Sequence, residues 1–455
     1  MLAGVTGRMG GMTSTYALSP GRMLAAGDPP QTATAGCDRT AAVLTGVFDQ
    51  HDVDARVAGY QRGPTVTRYE VEVGYGTRVA AVTRLAGDIA YALGTSTVRV
   101  LAPVEGKSAI GVETPNEVRD TVTLGDVLPR DGGPLMVGLG RDMDGQPVTA
   151  DLAAMPHLLI GGATGAGKSV AVNAIITSVL ARAAPAQVRL VLVDPKRVEL
   201  AAYAGVPHLW QPIVTDPQAA VGALRGVAGE MDRRYRLLQE ARCRNIAAYN
   251  ARAAEPLPYL LVVVDELADL MMVAGKAVEA QIVRITQLGR AAGVHMVVAT
   301  QRPSVNVITG LIKANISSRL AFTVASMPDS RVILDVTGAQ HLTGKGDALF
   351  APAGAPVPVR MQGAWVSDAE IDAVTGWWRA QTVTRQAAVA APARDLAAEA
   401  AVLVTSTRFG STSMVARKLC LSMTAAREVM AELERRGVVG PLNGSLRPVL
   451  VQAQG

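Results

Sequence analysis

The chain has 455 residues, 49% of them hydrophobic and 18% charged, with a formal net charge of +5 at neutral pH. That length exceeds what one compact core organises, so about three domains are expected. No apolar stretch reaches the roughly 18 residues that a membrane-spanning helix needs, and the basic balance is compatible with a polyanionic partner without requiring one.

Residues 1 to 35 are rich in Gly, Ala, Ser, Thr, Met and Pro without period, which predicts a flexible leader. No compact apolar block follows a basic start there, so no secretory signal is expected. From 36 to 130 the pattern changes. PTVTRYEVEV (64 to 73) alternates like a half-buried strand, VAAVTRLAGDIAYALG reads as one amphipathic helix, and STVRVLAP as a further strand. This predicts a small α+β domain. From 131 to 367 apolar runs alternate with helical stretches: HLLIGG, VRLVLVD, YLLVVVDE, VHMVVAT and RLAFTV. Near-continuous Val, Leu and Ile strands separated by helices predict an α/β domain with a parallel sheet covered on both faces. The Ala-rich stretch within 368 to 395 reads as a linker. Residues 396 to 455 read as short helices ending in a turn between two short strands. Cys37, Cys243 and Cys420 lie far apart without metal spacing, which fits a reducing cytoplasm and no disulfide framework.

The chemistry concentrates in the α/β domain. Gly162, Ala163, Thr164, Gly165, Ala166, Gly167, Lys168 and Ser169 satisfy G-x-x-x-x-G-K-[ST], with a strand before and a helix after. The glycines let backbone N–H groups turn toward phosphate oxygens, and the helix N-terminus adds a favourable dipole. Lys168 is placed to reach the β- and γ-phosphates and Ser169 to coordinate Mg²⁺, so ATP and Mg²⁺ are the expected cofactors. Gly106-Lys107-Ser108 repeats the tripeptide, but Leu101 stands where the first glycine belongs. The apolar run Tyr259 to Val264 ends in Asp265-Glu266. An acid at the exit of such a strand can hold the Mg²⁺ shell, which assigns Asp265, and Glu266 beside it can act as general base toward water. VHMVVAT ends in Thr300-Gln301, and Gln301 is placed to sense the γ-phosphate. Together these residues support ATP hydrolysis.

Residues outside that site narrow the reading. DPKRVEL (194 to 200), GVPHL, EMDRRYRLL, RNIAAYN, ATQRPSVNVITGLIKANISSRLAFTVASMPDSRVILD and GKGDALF closely resemble the motor of the FtsK/SpoIIIE family of double-stranded DNA translocases. GPTVTRYEVEV and RVLAPVEGKSAIGVETPN resemble that family's α domain, and SMVARKLCLSMTAAREVMAELERRGVVGP its γ domain, a winged helix. The resemblance implies a RecA-like P-loop motor between an N-terminal α+β domain and a C-terminal winged helix, assembled as a homo-hexameric ring around duplex DNA. It places Arg319 as the arginine that reaches a neighbour's ATP, and Arg331 and Arg360 at basic positions facing the DNA. Lys345, in GKGD, joins them on charge and loop context, and Arg427 by its place on the recognition helix. Two departures stand out. Asn306 replaces the family's aspartate, and Thr424 and Ala425 stand where an Asn and an Arg that read bases are usual, so altered or weakened sequence preference is expected. Family members in cell division carry membrane spans before the α domain; the short leader here implies a soluble, cytoplasmic motor. A ring ATPase of a plasmid or phage DNA-transfer or packaging system is the alternative, and a nucleotide-switched DNA-binding regulator ranks below it. Which DNA-processing partner serves it, a site-specific recombinase or another, stays open.

Overall fold

The computed structural model describes residues 23–29, 31, 35–95, 97–104, 106–381, 396–419, 421–443 and 446–450, together with the backbone of 4–9 and 12–17. The chain forms two compact units, residues 1–383 and 384–455. Among the described residues no helix is long and apolar enough to cross a membrane.

The first 35 residues are not uniformly a flexible leader. Gly4–Met9 and Met12–Ala17 pair as an antiparallel ribbon. Farther on, Leu24 is buried in the core of the large domain, and Ala25 N–H donates to Glu370 Oε1 at 2.8 Å. Leu24 and these backbone hydrogen bonds, with Gly27 N–H donating to Asp126 Oδ1 at 3.0 Å, tie residues 24–27 down, which composition alone does not reveal.

The α+β domain is a four-stranded antiparallel sheet in the order Ala55–Arg62, Val66–Val73, Ile110–Pro115, Arg99–Leu101. The alternation read at 64 to 73 holds from Thr67 onward, with Tyr69 and Val71 buried beside Phe48, Ile89 and Val112, whereas residues 64–67 are buried throughout. The stretch expected as one helix is two, Val79–Arg84 and Ala86–Ala92, broken at Leu85, whose φ of −80° and ψ of 4° leave the helical path. Leu85 is itself buried in the domain core, so side-chain packing outweighs helix continuity there.

The large domain holds a nine-stranded sheet. Its first five strands, in the order Val188–Val193, Tyr259–Val264, Val294–Thr300, His157–Gly161, Ser318–Phe322, are parallel. Both faces are covered as their sequence requires: Leu158 and Ile160 join one apolar cluster with the helix Lys168–Arg182, and Leu159 joins the other with Leu267–Ala292 and Pro217–Glu240. The remaining four strands, Asp347–Ala351, Val359–Gly363, Met136–Asp142 and Pro147–Asp151, add antiparallel pairs, so the sheet is mixed rather than parallel throughout. The loops joining Asp347–Ala351 to Val359–Gly363 and Met136–Asp142 to Pro147–Asp151 are too short for the helical crossovers that parallel pairing needs.

The segment expected as linker begins with structure. Ser367 caps the helix Asp368–Ala380 in a capping box with Glu370, and Trp378 is buried, its indole N–H donating to the Leu180 carbonyl at 2.8 Å. Residues 382–395, the rest of that stretch, lie outside the described residues. In the second unit Leu396–Thr407, Thr412–Lys418 and Met423–Arg435 pack around Val404, Val415, Met430 and Leu433, with Val439 bridged to Val449.

Three buried histidines give the fold a pH limit. Burial pushes His157 down to about 4, and His208 and His295 to about 3. The unfolded chain takes up these protons below about pH 6.5 and the folded chain does not, so stability is full at neutral pH and falls as acid is added toward pH 4. At pH 5 the three rings are expected to remove about 5 kcal/mol relative to pH 7. Urea unfolding across this range checks it: replacing His157 and His295 by leucine should cut the acid-dependent slope to about a third.

Candidate nucleotide site

The site lies at the carboxyl ends of the parallel strands. The strand His157–Gly161 runs into the loop and the loop into the helix Lys168–Arg182. Gly165 and Gly167 have φ of +75° and +123°, a region that side-chain-bearing residues avoid. A Cβ at Gly167 would also meet the Gly346 Cα at 2.8 Å, so this glycine serves close approach as well as the turn. Ala163 N–H donates to the Thr323 carbonyl and Gly346 N–H to the Ala166 carbonyl, both at 2.8 Å, which holds the loop open from two sides.

Lys168 is buried, and its Nζ lies 2.6 Å from Asp265 Oδ1. Burial raises the Asp265 pKa, opposed by the Lys168 charge. Asp265 Oδ2 is buried without a hydrogen-bond partner, an oxygen left open to a cation. Glu266 is buried as well, and its placement is elaborate. Its Oε1 accepts from Thr300 Oγ1 at 2.7 Å, from Gln301 N–H at 3.2 Å and from Ala268 N–H at 3.3 Å, while Lys196 Nζ lies 3.2 Å from Oε2. Gln301 Oε1 in turn accepts from Thr164 Oγ1 at 2.9 Å, so Gln301 links the phosphate loop to the carboxylate of Glu266. The sheet order explains this meeting: Val294–Thr300 lies between the loop strand and the acidic strand, so Thr300 and Gln301 emerge between them.

Lys196 is not singled out by the sequence, whereas Thr300 is legible only as part of the polar strand tip with Gln301. Lys196 follows Asp194 in a turn where Asp194 Oδ1 accepts from the N–H groups of Lys196 and Arg197 at 3.2 and 3.0 Å. Arg197 has φ of +59°, and the quoted DPKR stretch was the signal, short of naming its lysine.

Arg319, on the strand Ser318–Phe322, does not join this chain's own loop residues. Its guanidinium pairs with Asp335 and donates to the carbonyls of Lys313 and Ile316 at 3.3 and 3.4 Å; Lys313 itself lies 2.6 Å from Asp335.

The expected DNA contacts divide. Arg331 is exposed on the helix Met327–Leu334. Arg427 is exposed on Met423–Arg435, whose N-cap Ser422 accepts from Ala425 N–H. Lys345 is exposed at φ of +52° and lines the same cavity as Gly167 and Ser169. Arg360 is a correction. It lies on an inner strand and faces the four-stranded domain, with a side chain 3% exposed. It pairs with Glu113 Oε2 and Asp347 Oδ2, both at 2.6 Å, and so is a structural cation rather than a free DNA contact. Burial alone would raise the Glu113 pKa; Arg360, Arg99 and Arg68 outweigh it and hold the carboxyl below its ordinary range. Arg360→Ala leaves the buried Asp347 without a cation and Glu113 with Arg68 and Arg99 alone, so it is expected to lower the unfolding free energy by about 3 to 5 kcal/mol. Arg331→Ala is expected to stay within about 0.5 kcal/mol of the parent in the same denaturation experiment.

The strand order, the loop, and the acidic pair opposite it define a P-loop nucleotide-binding protein of RecA-like fold. Comparison with known proteins carries the assignment further. The FtsK/SpoIIIE family model matches residues 125–305, the FtsK alpha domain 20–116 and the FtsK gamma domain 393–452. The chain is 50% identical to the DNA translocase FtsK of Streptomyces avermitilis over 96% of its length and 52% of that protein. It is 48% identical to that of Mycobacterium tuberculosis over 96% of its length and 57% of that protein. It thus spans about half the length of these relatives. Among solved structures, the conjugation coupling protein TcpA of pCW3, in its monomer form with ATPγS, matches with a TM-score of 0.54 and 23% identity. That match covers 74% of this chain and 99% of TcpA, and supports the fold. The chain belongs to the FtsK/SpoIIIE family, and its second unit is that family's winged-helix domain.

Proposed function

We propose that this protein is an ATP-driven motor that moves along duplex DNA as a ring of identical subunits in the cytoplasm. The carrying observation is the position of Glu266, buried and held by Thr300, Gln301 and Lys196 opposite the phosphate loop. A carboxylate fixed by several donors beside a nucleotide site suits orienting a water and accepting its proton. Residues 162 to 169 cradle the phosphates. Ser169 and Asp265 would hold Mg²⁺; the unpartnered Asp265 Oδ2 and the hydroxyl donor fit a hard cation, which neutralises phosphate charge when bound. Gln301, through Thr164, ties the loop to Glu266 and so transmits the presence of the γ-phosphate. Arg319 stabilises charge developing on a neighbouring subunit's phosphate, in keeping with contacts that keep it away from its own loop. Arg331 and the winged helix bearing Arg427 supply the phosphate contacts to DNA, which position without reading sequence. The names of the relatives support this reading of cargo, and chromosome segregation or DNA transfer is the setting it suits.

The test is the ATPase rate with and without long linear duplex DNA, followed by displacement of a triplex-forming strand. Strong stimulation by duplex and strand displacement are expected. A rate indifferent to duplex DNA would overturn the motor reading.

A further inference from the structure

A cavity of about 590 Å³ opens from the phosphate loop, and the loop forms only one of its walls. Its walls also include Val170 and Ala171, Thr121 and Val122 in the connection between the two domains of the first unit, and Trp365. A phosphate chain needs the loop and the helix N-terminus alone, so this remaining volume is available to whatever the phosphates carry. Trp365 is half-exposed, yet its backbone is fixed on both sides: its N–H donates to the Val122 carbonyl at 2.7 Å, and its carbonyl accepts from Leu124 N–H at 2.8 Å. A large aromatic ring held on a rigid backbone in the wall of a ligand cavity offers a flat apolar face, and every nucleobase has a matching π-face.

We propose that the nucleobase of the bound nucleotide stacks on Trp365, in the end of the cavity walled by Thr121 and Val122. This rests on the nucleotide-binding reading above and adds the base subsite to it. The neighbouring charged groups are already committed. Arg119 donates to the carbonyls of Gly344 and Thr343 at 3.2 and 3.3 Å, and Asp120 pairs with Arg62 at 2.9 Å. Stacking therefore dominates over side-chain hydrogen bonding, and discrimination between adenine and guanine is expected to be less than about tenfold. The base then touches the connection between the two domains, so nucleotide occupancy bears on the joint as well as on the loop.

Calorimetric binding of ATP and of inorganic triphosphate to the full chain, with Mg²⁺, tests this. Trp365→Ala should weaken ATP by about tenfold to a hundredfold and leave inorganic triphosphate within about twofold, while Trp365→Phe keeps ATP within about threefold. ATP, but not triphosphate, should change the tryptophan fluorescence of the parent, and that change should vanish in Trp365→Phe, which keeps a stacking ring and the fold. Undiminished ATP binding by Trp365→Ala, equal loss of both ligands, or an ATP-induced fluorescence change that survives in Trp365→Phe would each overturn the base assignment. A parent protein that binds neither ligand would overturn the nucleotide site itself, and the base subsite with it.

Discussion

Glu266→Gln is expected to abolish duplex-stimulated ATP turnover, lowering it by about two to four orders of magnitude, while ATP still binds. The substitution keeps shape and volume. The side-chain oxygen can still accept from Thr300 Oγ1 and the Gln301 N–H, which lie 2.7 and 3.2 Å from the carboxylate, so the local structure should persist. What is lost is an atom that takes a proton, and the negative charge that Lys196 faces at 3.2 Å. Lys196 is partly exposed and can turn to solvent, so its unpaired charge should cost little. Steady-state turnover, together with nucleotide binding, separates the two effects. A Gln variant that hydrolyses ATP at the parent rate would remove Glu266 from the chemistry.

Arg319→Ala should be nearly as damaging, by about three orders of magnitude or more in turnover, through a neighbouring subunit's site. Its folding should change little, within about 1 kcal/mol, because Asp335 is mostly exposed and retains Lys313. Mixing makes the trans relation visible. A Glu266→Gln subunit still carries Arg319, and an Arg319→Ala subunit still carries Glu266. Mixed assemblies of two nearly inactive variants should therefore regain part of the parent activity. Mixtures as inactive as either variant alone would confine Arg319 to a structural role within its own chain. The pair with Asp335 also implies that Arg319 must leave or share that carboxylate to reach a phosphate on another subunit.

Much of the site was legible before any coordinates. The phosphate loop is a local device: positive φ at Gly165 and Gly167 and a helix beginning at Lys168 follow from neighbouring residues alone. Asp265-Glu266 was legible because an acid ending an all-apolar strand breaks a local pattern. Other placements failed for the opposite reason. Arg360 was expected to face DNA because it matches a basic position of the family. Its partner Glu113 stands 247 residues away, and no spacing rule connects them. The same holds for Lys196, brought to Glu266 across 70 residues by a turn that Asp194 organises. Leu85 and Trp378 show a third case, where burial decides: one interrupts an expected helix, and the other extends the large domain beyond the expected boundary.

The sequence by itself determined the glycine loop, the acidic end of the strand Tyr259–Val264 and the strands of the parallel part of the sheet, because glycine conformation and apolar periodicity are properties of adjacent residues. Only the tertiary structure decided the strand order that sets Thr300 and Gln301 between the loop and the acidic pair, the burial of Arg360, and the placing of Trp365 in the cavity wall. Those depend on contacts between segments far apart in the chain, which form when the sheet closes and its two apolar faces are covered.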